Sequence, residues 1–166
     1  MDSKRILTPV PKIENHMCFG CSPNNPYGLN MSFFTDGDAL YSWVLVPDHL
    51  CGWNKLVHGG VISTLLDEIM GWSAIYLLKK ISLTKSMSID FIKPVSIGMQ
   101  LKIVGKFLKW GDKREAHMEA SLYNDQDELC ARAGAVLMIL TQKLSKRLNI
   151  LNEDTLAALH PLIDSS

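Results

Sequence analysis

The stretch Leu56-Val57-His58-Gly59-Gly60-Val61-Ile62-Ser63-Thr64-Leu65-Leu66-Asp67-Glu68-Ile69-Met70-Gly71-Trp72-Ser73-Ala74-Ile75-Tyr76 decides how the rest of the chain is read. From Val61 to Leu78 it is too long and too apolar for one strand. Val61, Leu65, Ile69, Trp72 and Tyr76 recur at helical spacing. Ile62, Leu66, Met70 and Leu77 add apolar side chains on the other faces, the pattern of a helix buried on nearly all sides. Two acids, Asp67 and Glu68, sit in the middle of it. A membrane span accepts such charges only at high cost, so the stretch reads as a core helix.

A carboxylate in a protein core is paired, neutralised or kept for chemistry. On the helix, Gly60, Ser63, Thr64, Asp67, Gly71 and Ala74 share one stripe, which leaves room beside Asp67. The stripe can equally serve the close approach of another backbone, with Asp67 capping or pairing there. Glu68 points about 100° away around the helix and reads as an ion-pair partner. At the start, Gly59 and Gly60 carry no side chains and leave the first N–H groups of the helix open to an anion or a polarised carbonyl oxygen. Paired glycines also mark ordinary tight turns.

Working outward, Leu29 to Thr35 and Ala39 to Val46 are β-rich runs around the turn signal Asp36-Gly37-Asp38, an expected antiparallel hairpin. Pro47 to Lys55 leads into the helix as a loop in which Asn54 is either a donor to substrate or water, or a loop-packing residue. After the helix, Thr84 to Ile92, Gln100 to Trp110, Lys113 to Tyr123 and Glu128 to Thr141 read as four strands of a long meander. About six strands and one apolar helix make an α+β domain over residues 29–141, with a curved antiparallel sheet wrapping the helix. Residues 1–28 read as an arm followed by a Cys/Pro/Gly loop. Residues 142–166 read as an extension whose Leu151, Leu156, Leu159 and Leu162 suggest a short amphipathic helix.

Composition excludes several classes of function. Lys plus Arg and Asp plus Glu number 17 each, so no net charge draws the chain to nucleic acid or to an acidic membrane, and a small-molecule partner is expected. The N-terminus has no apolar signal-like run, which points to the cytoplasm and to reduced thiols for Cys18, Cys21, Cys51 and Cys130. Cys18-x-x-Cys21, with His16 just ahead, could open a zinc site, but a structural site needs four ligands and His49 and Cys51 reach it only by folding back. The expectation is therefore a structural loop and no metal.

His58-Gly59-Gly60, six residues, then Asp67 resembles the thioesterase superfamily with the hotdog fold, in its phenylacetate-pathway-type and acyl-CoA thioesterase branch. The strand Thr84-x-x-Met87-x-Ile89-x-Phe91-x-x-Pro94 is similar to the one that follows the helix there, and the Cys-x-x-Cys, Asn-Pro, Gly-Leu opening is similar to that of a bacterial branch. The likeness spans about Met17 to Leu140. It departs where Gly52-Trp53-Asn54-Lys55 stands in place of Gly-Trp-Pro-Gly.

The resemblance implies hydrolysis of an acyl-CoA thioester without a cofactor. It makes Asp67 the base or the nucleophile, the Gly60 N–H the carbonyl polariser, His58 an orienting partner and Thr84 the holder of water. Gly59 is expected to contact substrate, and Asn54, where the chain departs from the family pattern, is offered as a further donor to substrate or water against its loop-packing reading. The active sites lie between the chains of a homodimer or a dimer of dimers. Gly60 and Asp67, seven residues apart, lie about 10 Å apart along one helix axis, too far to serve one carbonyl, which supports the shared arrangement. The rival from another class is a protein that holds an acyl-CoA or acyl-carrier thioester without cleaving it. A dehydratase or isomerase on the same fold fits the acid and histidine pattern less well. Trp43, Trp53, Trp72 and Tyr76 could line either an aryl or a fatty acyl pocket.

Overall fold

In the computed structural model, which describes residues 6–164, the central helix α1 runs from Gly59 to Leu77. His58 caps its first turn, with its ring accepting the Gly60 N–H. At the other end the chain leaves through Lys79 in the left-handed region (φ 58°), and the N–H groups of Leu78 and Lys80 both return to the Ala74 carbonyl, which closes the last turn. Leu65, Leu66, Ile69, Met70 and Ala74 have no solvent exposure, as the nearly continuous apolar surface of the helix requires.

Seven strands form one antiparallel sheet: β1 (Thr8–Pro9), β2 (Phe34–Thr35), β3 (Ala39–Leu45), β4 (Ile81–Phe91), β5 (Gln100–Trp110), β6 (Glu115–Tyr123) and β7 (Leu129–Leu140). Their order is β1-β2-β3-β5-β6-β7-β4. Strands β3 to β7 all pack on α1, so the sheet curves around the helix in the hotdog arrangement. Alternation places Ala116, Met118, Ala120 and Leu122 of β6 inward, with Ala131, Ala133 and Ala135 of β7 beside them. At Gly105 the sheet lies close against the helix: a Cβ there would stand 2.7 Å from Ser73 Oγ and 3.1 Å from the Ile69 carbonyl oxygen.

Several expectations need correction. The strands after the helix are not a simple meander, because β4 crosses to the far edge and pairs with β7 while β5 joins β3. Of the run Leu29 to Thr35 only Phe34 and Thr35 enter the ladder. Leu29, Met31 and Phe33 still alternate inward, but their backbone partners are the Phe19 and Gly20 carbonyls and the Val10 N–H, so the arm and the loop take the place of a strand. The arm is correspondingly more than surface: Thr8–Pro9 pairs with Phe34–Thr35, and Val10 and Ile13 are buried in the same core as α1. Residues 1–5 of the expected arm lie outside the described residues.

The C-terminal extension forms two helices, α2 (Gln142–Arg147) and α3 (Glu153–Leu159), capped by Thr141 and Asn152. Asn149, in the left-handed region (φ 51°), turns the chain between them. Leu156, Leu159 and Ile163 join the core, and the Lys80–Asp164 ion pair at 3.2 Å and the Asp164 N–H to Lys79 carbonyl bond pin the end beside the exit of α1. No helix among the described residues is long and apolar enough to cross a membrane.

Candidate active site

Asp67 and Thr84, seventeen positions apart in sequence, meet in space. The Thr84 hydroxyl donates to Asp67 Oδ1 at 2.6 Å. The register of β4 against β7 slips between Thr84 and Ser86, a bulge of the kind that re-aims a side chain where a regular ladder would not. The hydroxyl has given its one proton to Asp67, so it offers a water only its lone pairs. A water between the two accepts nothing from Thr84 and can donate to both oxygens, which leaves its own lone pair facing outward.

This pair lines a cleft of about 340 Å3. Gly71, Trp72, Ile75 and Ile81 also line it, together with Ile150 and Leu151 of the extension. A Cβ on Gly71 would touch nothing within 4 Å, so the room expected beside Asp67 is present. Of the four aromatic residues named from sequence, only Trp72 lines this cleft, stacked on Phe33 at 5.2 Å. Trp43 is on the outer face against Phe34 and Tyr41, and Trp53 is 89 % exposed.

The other expected groups gather at the opposite end of the same helix. Gly60 does not offer the open N–H that the sequence suggested, because it donates to His58 Nδ1 at 2.9 Å. That bond sets the neutral His58 ring with its proton on Nε2. The His58 carbonyl accepts from Val61 and Ile62. The donor without a partner among the described residues is the Gly59 N–H, one residue earlier and at the first helical position. It borders a cleft of about 480 Å3 that Trp53, Asn54, Val57 and His58 also line. Asn54 is in the left-handed region (φ 52°), which short polar side chains tolerate, and its amide makes no hydrogen bond among the described residues.

Within one chain the two halves therefore stay apart. From Gly59 to Asp67 is eight residues of helix, about 12 Å of rise. The sheet has an open edge nearby. β4 ends the sheet, and Leu83, Phe91 and Ile92 on and beside it are 46 %, 57 % and 46 % exposed. Phe91 also lies 3.7 Å from where a Gly59 Cβ would stand, so this apolar edge runs up to the helix N-terminus.

Glu68 corrects another expectation. It makes no ion pair among the described residues; its extra 100° of rotation carries it into the Cys18–Cys21 loop, where Cys18 Sγ lies 3.6 Å from both of its oxygens. Burial pushes the Glu68 carboxyl up to about 7, with the neighbouring Cys18 adding to the shift. The Cys18 thiol is lowered to about 5, chiefly by its hydrogen bond with Cys21 and further by the backbone N–H groups of Cys21 and Gly20, against the effect of burial. The Cys21 thiol is raised, by the same bond to Cys18 and then by burial. A two-residue spacing of cysteines was visible in the sequence; that an acid of the central helix would close on it was not.

Residues 54–131 match the family model described as the thioesterase superfamily, a span that holds the helix, Asp67 and Thr84. A comparison with curated proteins finds no match. Among solved structures, a hypothetical thioesterase protein from Streptococcus pneumoniae with coenzyme A superposes with a TM-score of 0.59 at 21% identity, over 63% of this chain and 80% of that one. A Streptococcus mutans protein bound to acetyl CoA does so at 0.58 and 23%, over 62% and 82%. The Escherichia coli PaaI protein from the phenylacetic acid degradation operon follows at 0.60 and 18%, over 68% and 80%. Forms of the S. pneumoniae protein with alanine at one aspartate and at one threonine superpose as well, each at 20% identity. At these identities the likeness establishes the fold.

Proposed function

We propose that this chain, whose residues 54–131 carry the thioesterase-superfamily pattern on a hotdog fold, is an acyl-CoA thioesterase that cleaves its substrate between two copies of itself. The observation that carries the reading is the 2.6 Å bond between Thr84 and Asp67 beside an open cleft, at one end of a helix whose other end presents the unpaired Gly59 N–H. Hydrolysis of a thioester needs a carboxylate and an oxyanion donor together. The CoA-bound neighbours support the substrate class.

In this reading the thioester oxygen receives the Gly59 N–H of one subunit, strengthened by the positive end of the helix. Asp67 of the partner subunit takes a proton from the water that it and Thr84 hold, and the water oxygen bonds to the carbonyl carbon. The tetrahedral intermediate collapses, the C–S bond breaks and the thiolate leaves with the proton as free CoA. If Asp67 attacks directly, an anhydride forms and water then cleaves it, with the same products. His58 holds the entry turn in place by accepting from Gly60, and Asn54, whose amide makes no hydrogen bond among the described residues, lines the cleft beside Gly59. The exposed Leu83, Phe91 and Ile92 form the seam of a homodimer, alone or within a dimer of dimers, and the protein acts in the cytoplasm. The test is release of free thiol from a panel of acyl-CoAs, fatty and aryl, by wild-type protein and by Asp67→Asn. A substrate turned over by the first and not by the second supports the assignment. Binding of acyl-CoA without release by either makes the chain a carrier of thioesters.

A further inference from the structure

The cysteine pair and Glu68 have no part in the chemistry above, yet the fold brings them to one point. We propose that Cys18, Cys21 and Glu68 hold a thiophilic divalent metal ion of the zinc class, which fastens the N-terminal loop to the central helix beside Asp67. Their ligand atoms lie within 4.8 Å of one another, and Cys18 Sγ is 3.6 Å from the Glu68 oxygens. A tetrahedral ion with Zn–S near 2.3 Å and Zn–O near 2.0 Å sets its sulfur and oxygen ligands about 3.5 Å apart. The observed separation matches. Two sulfurs and one carboxylate select zinc, cobalt or cadmium over calcium or magnesium, which require oxygen ligands.

The loop is built to hold this geometry. The Ser22 N–H bonds to the Cys18 carbonyl, and the Leu29 and Met31 N–H groups bond to Phe19 and Gly20, so the cysteines are fixed by backbone on both sides. Gly20 lets the acid in: a Cβ there would stand 2.5 Å from Glu68 Oε2 and 2.7 Å from its Cδ. His16 is not the fourth ligand. Its Nε2 bonds the Ile13 carbonyl and its Nδ1 faces the Cys18 N–H. His49, which bonds the Tyr27 carbonyl, and Cys51 lie outside the cluster. A cavity of about 550 Å3 bordered by Cys18, Cys21 and Glu68 leaves water to complete four-coordination. The expectation of no metal weighed His16, His49 and Cys51 as partners of the cysteine pair, whereas the third ligand proposed here is Glu68, 50 positions from Cys18.

The test is titration of reduced, chelator-stripped, full-length protein with cobalt(II), then displacement by zinc. One cobalt per chain with a sulfur-to-cobalt charge-transfer band, lost in Cys18→Ser and in Cys21→Ser, is the expected result. Glu68→Gln should weaken binding by about a hundredfold or more, since even outer-shell partners are worth 10–100-fold. Gly20→Ala keeps all three ligands but pushes the carboxylate aside, and should weaken binding in the same direction. Circular dichroism confirms that each variant is folded. Zinc should also raise the midpoint of thermal unfolding of wild-type protein and not of Cys21→Ser. Wild-type protein that takes up no cobalt, or is isolated with a Cys18–Cys21 disulfide that still forms under reducing buffer, overturns the proposal. Binding untouched by both Glu68→Gln and Gly20→Ala overturns the three-ligand site.

Discussion

The sharpest consequence of the site's geometry is that two defective chains should repair each other. Gly59→Pro removes the unpaired N–H at the first helical position, where proline is tolerated. His58 already has the extended backbone (φ −61°, ψ 137°) that a residue before proline adopts. Asp67→Asn removes the carboxylate and keeps its shape. Alone, the first should cost about 10²–10³ in turnover, the scale of a lost oxyanion donor, and the second about 10² or more, the scale of a lost general base. The two groups are about 12 Å apart along one helix, whereas both must come within about 3 Å of one carbonyl, so the proposed mechanism draws them from different chains. A heterodimer of the variants then holds one site with both defects and one with neither. Random pairing of equal amounts makes half the dimers mixed, and half of their sites intact, so thiol release should recover to about a quarter of wild type. The assay is thiol release after unfolding and refolding the two together, with mixed dimers counted by native mass spectrometry of chains of unequal tag length. Abundant mixed dimers without recovery would refute the shared site, because a site built from one chain is defective in every such pairing.

Other consequences are checked more simply. Thr84→Val keeps the branched shape and removes the bond to Asp67, so turnover should fall about tenfold or more with the melting temperature nearly unchanged; equal turnover would make Thr84 an ordinary strand residue. Leu151→Ala enlarges the cleft at the wall supplied by the extension, and kcat/KM should shift toward bulkier acyl groups by about tenfold, within the 1–3 kcal/mol that a methylene commands in such pockets. An unchanged acyl preference would separate the extension from specificity. Gly105→Ala presses a methyl on Ser73 and the Ile69 carbonyl and should destabilise the fold by about 1–3 kcal/mol in denaturant titration; a neutral result would mean that sheet and helix part easily there.

What the sequence determined on its own is what local patterning and covalent spacing control. The apolar periodicity of Val61–Leu77 and the glycines ahead of it placed the helix within two residues of its observed start, and the alternation of Gln100–Trp110 placed β5 to the residue. Asp67 and Gly71 on one helical face, with room beside them, follow from a period of 3.6 residues alone. Contacts between residues far apart in the chain obey no such period, and the tertiary structure decided them. The placement of β4 at the sheet edge depends on which strands bury α1 best, not on any run of residues, and it is this placement, with the bulge after Thr84, that brings the hydroxyl onto Asp67. The choice between Gly59 and Gly60 as the open donor turned on a single side-chain rotamer, His58 folding back to fill its own N-terminus. Glu68 was the hardest to read: its partners, Cys18 and Cys21, arrive from 50 and 47 residues away, so only packing of the loop on the helix reveals that a half-buried acid faces two thiols.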